Sequence, residues 1–285
     1  TGTGTATLSA ANTYNGTTWV NQGVLRAVTN ASALGAGSLV LNGGNLVLVT
    51  EGASLGWGRN TTLSNSATIT IDRLTANAAN NASLGTLTMA GAHTLTVARG
   101  ANVTANNPVL YLGAVTLQAS GATFVVGANN QLVFTNGVTG TGTSFTVTNE
   151  NVLVISNTIA TGAGGITKSG TSLLTLAGSN SFSGGILLND GRLTFNNDYA
   201  AGTGTITLGT LGGPTVGLNA GTGTTTNAQN NNIQINASSL NFNSDGGNAS
   251  NYHLGPGDVK MGTNVAATVQ SNRVIGGVIR AGGNA

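Results

Sequence analysis

The chain has 285 residues, and only 6% of them are charged, against roughly 25% in ordinary soluble domains; a conventional charged surface is excluded. Nine basic and seven acidic residues lie scattered singly and leave a net charge of +2, so no clustered basic face is available to hold nucleic acid. Cysteine is absent, which removes disulfides and thiolate metal sites as sources of stability.

Glycine is abundant at 45 residues, yet 39% of the chain is hydrophobic, with Leu, Val and Ile recurring in short alternating runs. Such a pattern implies periodic burial rather than disorder. No window of about 20 apolar residues marks a membrane-spanning segment, and no basic stretch followed by an apolar run marks a signal peptide. With three prolines and no convincing 3.6-residue period, short strands and tight turns are predicted throughout.

In chain order, the first notable stretch is Gly2 to Gly16, followed by Asn21, Gly23 and Leu25, and then by Ala33-Leu34-Gly35-Ala36-Gly37 running into the strand Ser38-Leu39-Val40-Leu41. Further strands are predicted at Ala67-Thr68-Ile69-Thr70-Ile71, Thr94-Leu95-Thr96-Val97, Ala122-Thr123-Phe124-Val125-Val126 and Gln131-Leu132-Val133-Phe134, each bounded by Gly or Asn. From Gly170 the opening pattern returns. Gly170 to Gly184 aligns without a gap on Gly2 to Gly16, Asn189, Gly191 and Leu193 fall on Asn21, Gly23 and Leu25, and Ala200-Ala201-Gly202-Thr203-Gly204 falls on Ala33 to Gly37 after a one-residue shift. Self-similarity of this kind marks a repeat architecture, in which a unit buries its apolar face only by stacking on a neighbour.

The pattern in Gly165-Ile166-Thr167-Lys168-Ser169-Gly170, Leu174-Thr175-Leu176-Ala177-Gly178-Ser179-Asn180-Ser181-Phe182-Ser183-Gly184-Gly185, Asn189-Asp190-Gly191-Arg192-Leu193 and Gly202-Thr203-Gly204 resembles the passenger-associated transport repeat of bacterial autotransporters. Residues 1–43 resemble a second copy, beside the one at 165–209. The resemblance implies an all-β chain folded as a right-handed parallel β-helix, exported across the outer membrane through a C-terminal β-barrel. The residues themselves lead to the same architecture: Leu, Val and Ile point inward, Gly and Asn take the corners, and like residues stack in ladders. With rungs of roughly 20 to 22 residues spaced about 4.8 Å apart, the expectation is one continuous rod of about 13 rungs, on the order of 60 Å long and without a second domain.

Candidate chemistry is sparse. Gly52-Ala53-Ser54-Leu55-Gly56 matches a nucleophile elbow, but the helix that such a turn requires is not predicted and only His93 and His253 could serve as a base. Glycan-cleaving β-helices place carboxylates on neighbouring rungs. Among the seven acidic residues only Glu51 and Asp72 have that spacing, with Arg73 adjacent, so they form the best catalytic pair to weigh against two isolated surface charges. Dispersed ligands argue against a metal or any cofactor. Trp19, Trp57 and Tyr111, with Tyr14, Tyr199 and Tyr252, are the candidate stacking platforms for surface glycans or a host receptor. The triplets Thr68-Ile69-Thr70, Thr86-Leu87-Thr88 and Thr94-Leu95-Thr96 invite comparison with ice-binding solenoids, but they are separated by 18 and then 8 residues, an irregular ladder.

The expectation is therefore a non-enzymatic structural rod of a bacterial cell-surface adhesin or extracellular fibre. A receptor-binding passenger and a glycan-cleaving enzyme are the alternatives. One further alignment bears on assembly. Ile275-Gly276-Gly277-Val278-Ile279 and Gly282 match Ile155-Ser156-Asn157-Thr158-Ile159 and Gly162, the run that leads into the second repeat, whereas Thr1-Gly2 matches Ser169-Gly170 inside it. The tail of one copy thus runs into the head of another, so copies of the chain are expected end to end, as tandem repeats or as a coaxial filament.

Overall fold

A computed structural model describes residues 2–221 and, beyond them, 225–226, 231–237, 239–242, 252–253, 259–261, 266–269 and 279–281. Among the described residues there is no helix, and the strands stack into a parallel β-solenoid. A 13-stranded sheet runs the length of the solenoid, and sheets of 10 and 7 strands complete its walls. One turn visits all three in order. Ala67–Arg73 lies in the long sheet, Ala82–Ser83 in the second and Leu87–Met89 in the third, before Thr94–Arg99 returns to the first. Every strand pairing among the described residues is parallel, apart from an isolated antiparallel bridge between Glu51 and Ala53.

Alternation along each strand decides what is buried, because side chains two apart share a face. Strand Ala67–Arg73 buries Ala67, Ile69, Ile71 and Arg73 and turns Thr68, Thr70 and Asp72 outward. Stacked turns convert this alternation into ladders. In the second sheet Leu110, Leu132, Leu153, Leu174, Leu193 and Leu218 lie opposite one another in successive turns. In the long sheet Phe145 is followed by Ile166, Ile186, Ile206 and Ile233. Phe124 packs edge-on to Phe134 and Phe145, with ring centroids 4.9 and 5.9 Å apart, a geometry favoured by the ring quadrupole. The result is one apolar core extending from Val20 to Leu240.

The turns are less uniform than the expected 20 to 22 residues. Thr5 faces Val24, a step of 19, whereas Ala67 faces Leu95, a step of 28, and Leu95 faces Phe124, a step of 29. Outside the long turns, Asn77–Ala78 and Val103–Ala105 pair as a separate two-stranded sheet. Parallel pairing constrains only the strands, so surplus residues leave at a corner without disturbing the ladder.

The two sequence repeats fold alike. Asn12 and Asn180 each donate a side-chain N–H to the carbonyl of the next turn, at Ala33 (2.7 Å) and Ala200 (2.6 Å). Gly23 and Gly191 have φ of 68° and 71°, and a Cβ at either would strike carbonyls of the turn before. Gly35 and Gly202, at φ of 66° and 65°, lie against the rings of Tyr14 and Phe182. These glycines meet two demands at once: a left-handed backbone and close approach of a neighbouring turn.

Candidate functional site

The carboxylate pair proposed from spacing is out of register. In the long sheet Asp72 lies opposite Val49 and Arg73 opposite Thr50, which places Glu51 one residue beyond Arg73's partner and out of line with Asp72. The 23-residue step of this turn, rather than one of 20 to 22, is the reason. Each carboxylate has its own partners. Glu51 accepts from Arg73 Nη2 at 3.3 Å, from Thr75 Oγ1 at 2.8 Å and from the Thr75 backbone N–H at 3.2 Å. Those bonds, the Thr75 hydroxyl first, hold its pKa below the ordinary glutamate value. Asp72 lies 3.7 Å from Arg26 and accepts from the Asn102 backbone N–H at 3.0 Å. Arg73 is buried and also donates to the Ala78 carbonyl at 3.1 Å, tying the outer two-stranded sheet to the wall. Acid/base catalysis needs two carboxylates with offset pKa values facing one substrate; here both act as corner ties.

The other candidates resolve similarly. Ser54 Oγ accepts from the Asn81 backbone N–H at 2.9 Å, bridging two turns in place of a nucleophile elbow. His93 is half-buried beside Gly91, while the side chains of His253 and Tyr252 lie outside the described residues. Among the described residues no group of three or more His, Asp or Glu could hold a metal ion, and no helix is long and apolar enough to cross a membrane. Trp57 is only 1% exposed and belongs to the core, so it cannot stack on an external ligand. Its apolar bulk was legible, but nothing in Gly56-Trp57-Gly58 signals which way the ring points. Trp19 is 60% exposed on the 7-stranded sheet, and Tyr111 is half-buried on the 10-stranded sheet. The three aromatic candidates therefore form no common platform.

Two features escaped the sequence reading. The first is Lys168, which occupies an inward column between Val147 and Leu188 and is fully buried. Its Nζ donates to the carbonyls of Ser169 (3.0 Å), Gly170 (2.6 Å) and Asp190 (3.2 Å), closing two corners at once. Burial pushes its pKa down to about 8, against an opposing pull from the charge of Asp190. The second is a threonine array on the outside of the long sheet. Thr94, Thr123, Thr146 and Thr167 stand opposite one another in successive turns, and two residues along runs the column Thr68, Thr96, Val125, Thr148, Ser169. The irregular ladder of the sequence was an artefact of comparing triplets on different walls, since Thr88 lies in the third sheet.

These geometries set the frame for comparison with known proteins. The passenger-associated-transport-repeat family model matches residues 1–27 and 166–195, the two segments whose Asn clamps, positive-φ glycines and aromatic contacts coincide. The chain is a parallel β-solenoid that carries two segments similar to this repeat. No curated protein and no solved structure matched. Passenger-associated repeats are not in themselves an enzyme family, and they imply an exported protein. The matched segments contain the clamps between turns: Asn180 also accepts from the Ile159 backbone N–H of the preceding turn, at 2.7 Å. A motif asparagine thus holds three consecutive turns together.

Proposed function

We propose that the chain is a non-enzymatic structural rod of a bacterial cell-surface adhesin or extracellular fibre, about one period of an end-to-end array. The observation that carries this reading is how the polar chemistry is used. Glu51, Asp72, Arg73 and Lys168, the groups best suited to catalysis by type, are all engaged in holding one turn to the next. A site for glycan cleavage would need such groups directed at a substrate. Incubation with a panel of acidic and neutral polysaccharides should release no oligosaccharide. Turnover that is lost in Glu51→Gln or Asp72→Asn would sink the structural reading.

Support for the array comes from the likeness of the two repeats: Asn12 makes the bond to the following turn that Asn180 makes. The matching tail segment at 275–285 lies largely outside the described residues. Sedimentation velocity across a wide concentration range should show growth along one axis. A 28.0 kDa monomer at every concentration would reject self-stacking of this chain.

A further inference from the structure

We infer that the outer face of the long sheet is a binding face for ice. The face comprises five adjacent strands, from Ala67–Arg73 to Ile166–Ser169. Two columns of outward side chains cross it: Thr94, Thr123, Thr146, Thr167 in one, and Thr68, Thr96, Val125, Thr148, Ser169 in the other. Eight of these nine positions are Thr or Ser, and the ninth, valine, keeps the β-branched shape. No charged or aromatic side chain interrupts either column.

Strand geometry makes this a grid. Neighbouring strands stand about 4.8 Å apart and residues two apart along a strand about 6.7 Å, so the five strands span roughly 19 Å. β-Branched side chains are stiff at χ1, which fixes methyls and hydroxyls in rows without further ordering cost. Most of the hydroxyls are also uncommitted, Thr123, which donates to the Gly121 carbonyl at 3.4 Å, being an exception. Among the described residues, those of Thr94, Thr96, Thr146 and Thr148 bond to no other protein group, whereas Thr139 on the 7-stranded sheet spends its hydroxyl on the Val115 carbonyl at 3.3 Å and on Thr116 at 3.4 Å.

The occupant follows from three properties of the face. A partner that satisfies every position must itself repeat in two directions, at spacings of the order of those in the oxygen lattice of ice. It must be neutral, because the two columns offer no charge for an ionic partner. It does not depend on ring stacking, which disfavours a crystalline polysaccharide, whose sugars pack on aromatic faces. Rows of hydroxyls hold water at the spacing of the grid, and the methyls between them leave that water bonded mainly to itself.

The test is partition of the purified chain into slowly grown ice, together with thermal hysteresis of its solution. Two double variants are compared: Thr96→Lys with Thr146→Lys on the grid, and Thr88→Lys with Thr116→Lys on the 7-stranded sheet. Far-UV circular dichroism and thermal melting check the fold, and Thr96→Ala with Thr146→Ala replaces the grid pair if the lysines unfold it. Wild type and the control pair should enter the ice, and the grid pair should be depleted about tenfold or more, a loss of the size expected when a few contacts are removed. Exclusion of wild type from ice, equal loss in both pairs, retention by the grid pair, or binding to crystalline cellulose or chitin with none to ice would each overturn the inference.

Discussion

Lys168 shows how a residue that composition treats as surface becomes interior. Its aliphatic stem continues the column of Val147 and Leu188, and its ammonium group reaches three corner carbonyls. The cost of desolvation is still visible in a pKa of about 8 against an ordinary 10.5. Between those values the unfolded chain holds the proton and the folded chain releases it, so this group adds stability as pH rises from about 8 to 10.5. Denaturant titrations of wild type and Lys168→Met should diverge in the wild type's favour across that window; parallel curves would show that Lys168 titrates normally. Asn180 invites a second measurement. Asn180→Ala leaves a buried N–H at Ile159 and a buried carbonyl at Ala200 without partners, a loss of about 2–5 kcal/mol. Asn12→Ala, where the interturn bond is partly exposed, should lose only about 1 kcal/mol. Equal losses would contradict the clamp.

At the scale of the element, the corners matter more than the strands. Gly191 combines a φ of 71° with carbonyls of the preceding turn where a Cβ would stand. Gly191→Ala should therefore cost more than the 1–2 kcal/mol of a strained backbone alone, measurable as a lowered unfolding midpoint with an unchanged slope. Gly212, at φ 74° with nothing within reach of a Cβ, is the control and should show the backbone penalty only. Within the strands, Phe124 touches two aromatic rings, and Phe124→Ala should destabilise by about 3–5 kcal/mol. A loss below 1 kcal/mol would indicate that the core does not depend on this contact.

At the scale of the whole molecule, each turn contacts its neighbours above and below, so stability is a chain of nearest-neighbour terms. Hydrogen exchange should then be slowest in the middle strands, such as Ala122–Val126 and Phe145–Asn149, and fastest in Thr5–Leu8, whose outer face is exposed. Uniform protection along the rod would instead indicate a single cooperative unit.

The sequence alone determined the class of fold. Strict alternation in segments such as Ala67–Arg73, the glycine corners and the two matching repeats leave a stacked parallel solenoid as the arrangement that buries the alternating apolar residues, because those signals are local or periodic. Register was not legible. Turns of 19 to 29 residues cannot be phased from spacing, so Glu51 and Asp72 looked adjacent when they are not, and threonines in one ladder looked unrelated. Nor could local pattern show that Trp57 turns inward or that Lys168 lies in an apolar column. Those outcomes were decided by which strand stands on which, a tertiary choice set by packing of the common core, with the surplus residues expelled at the corners.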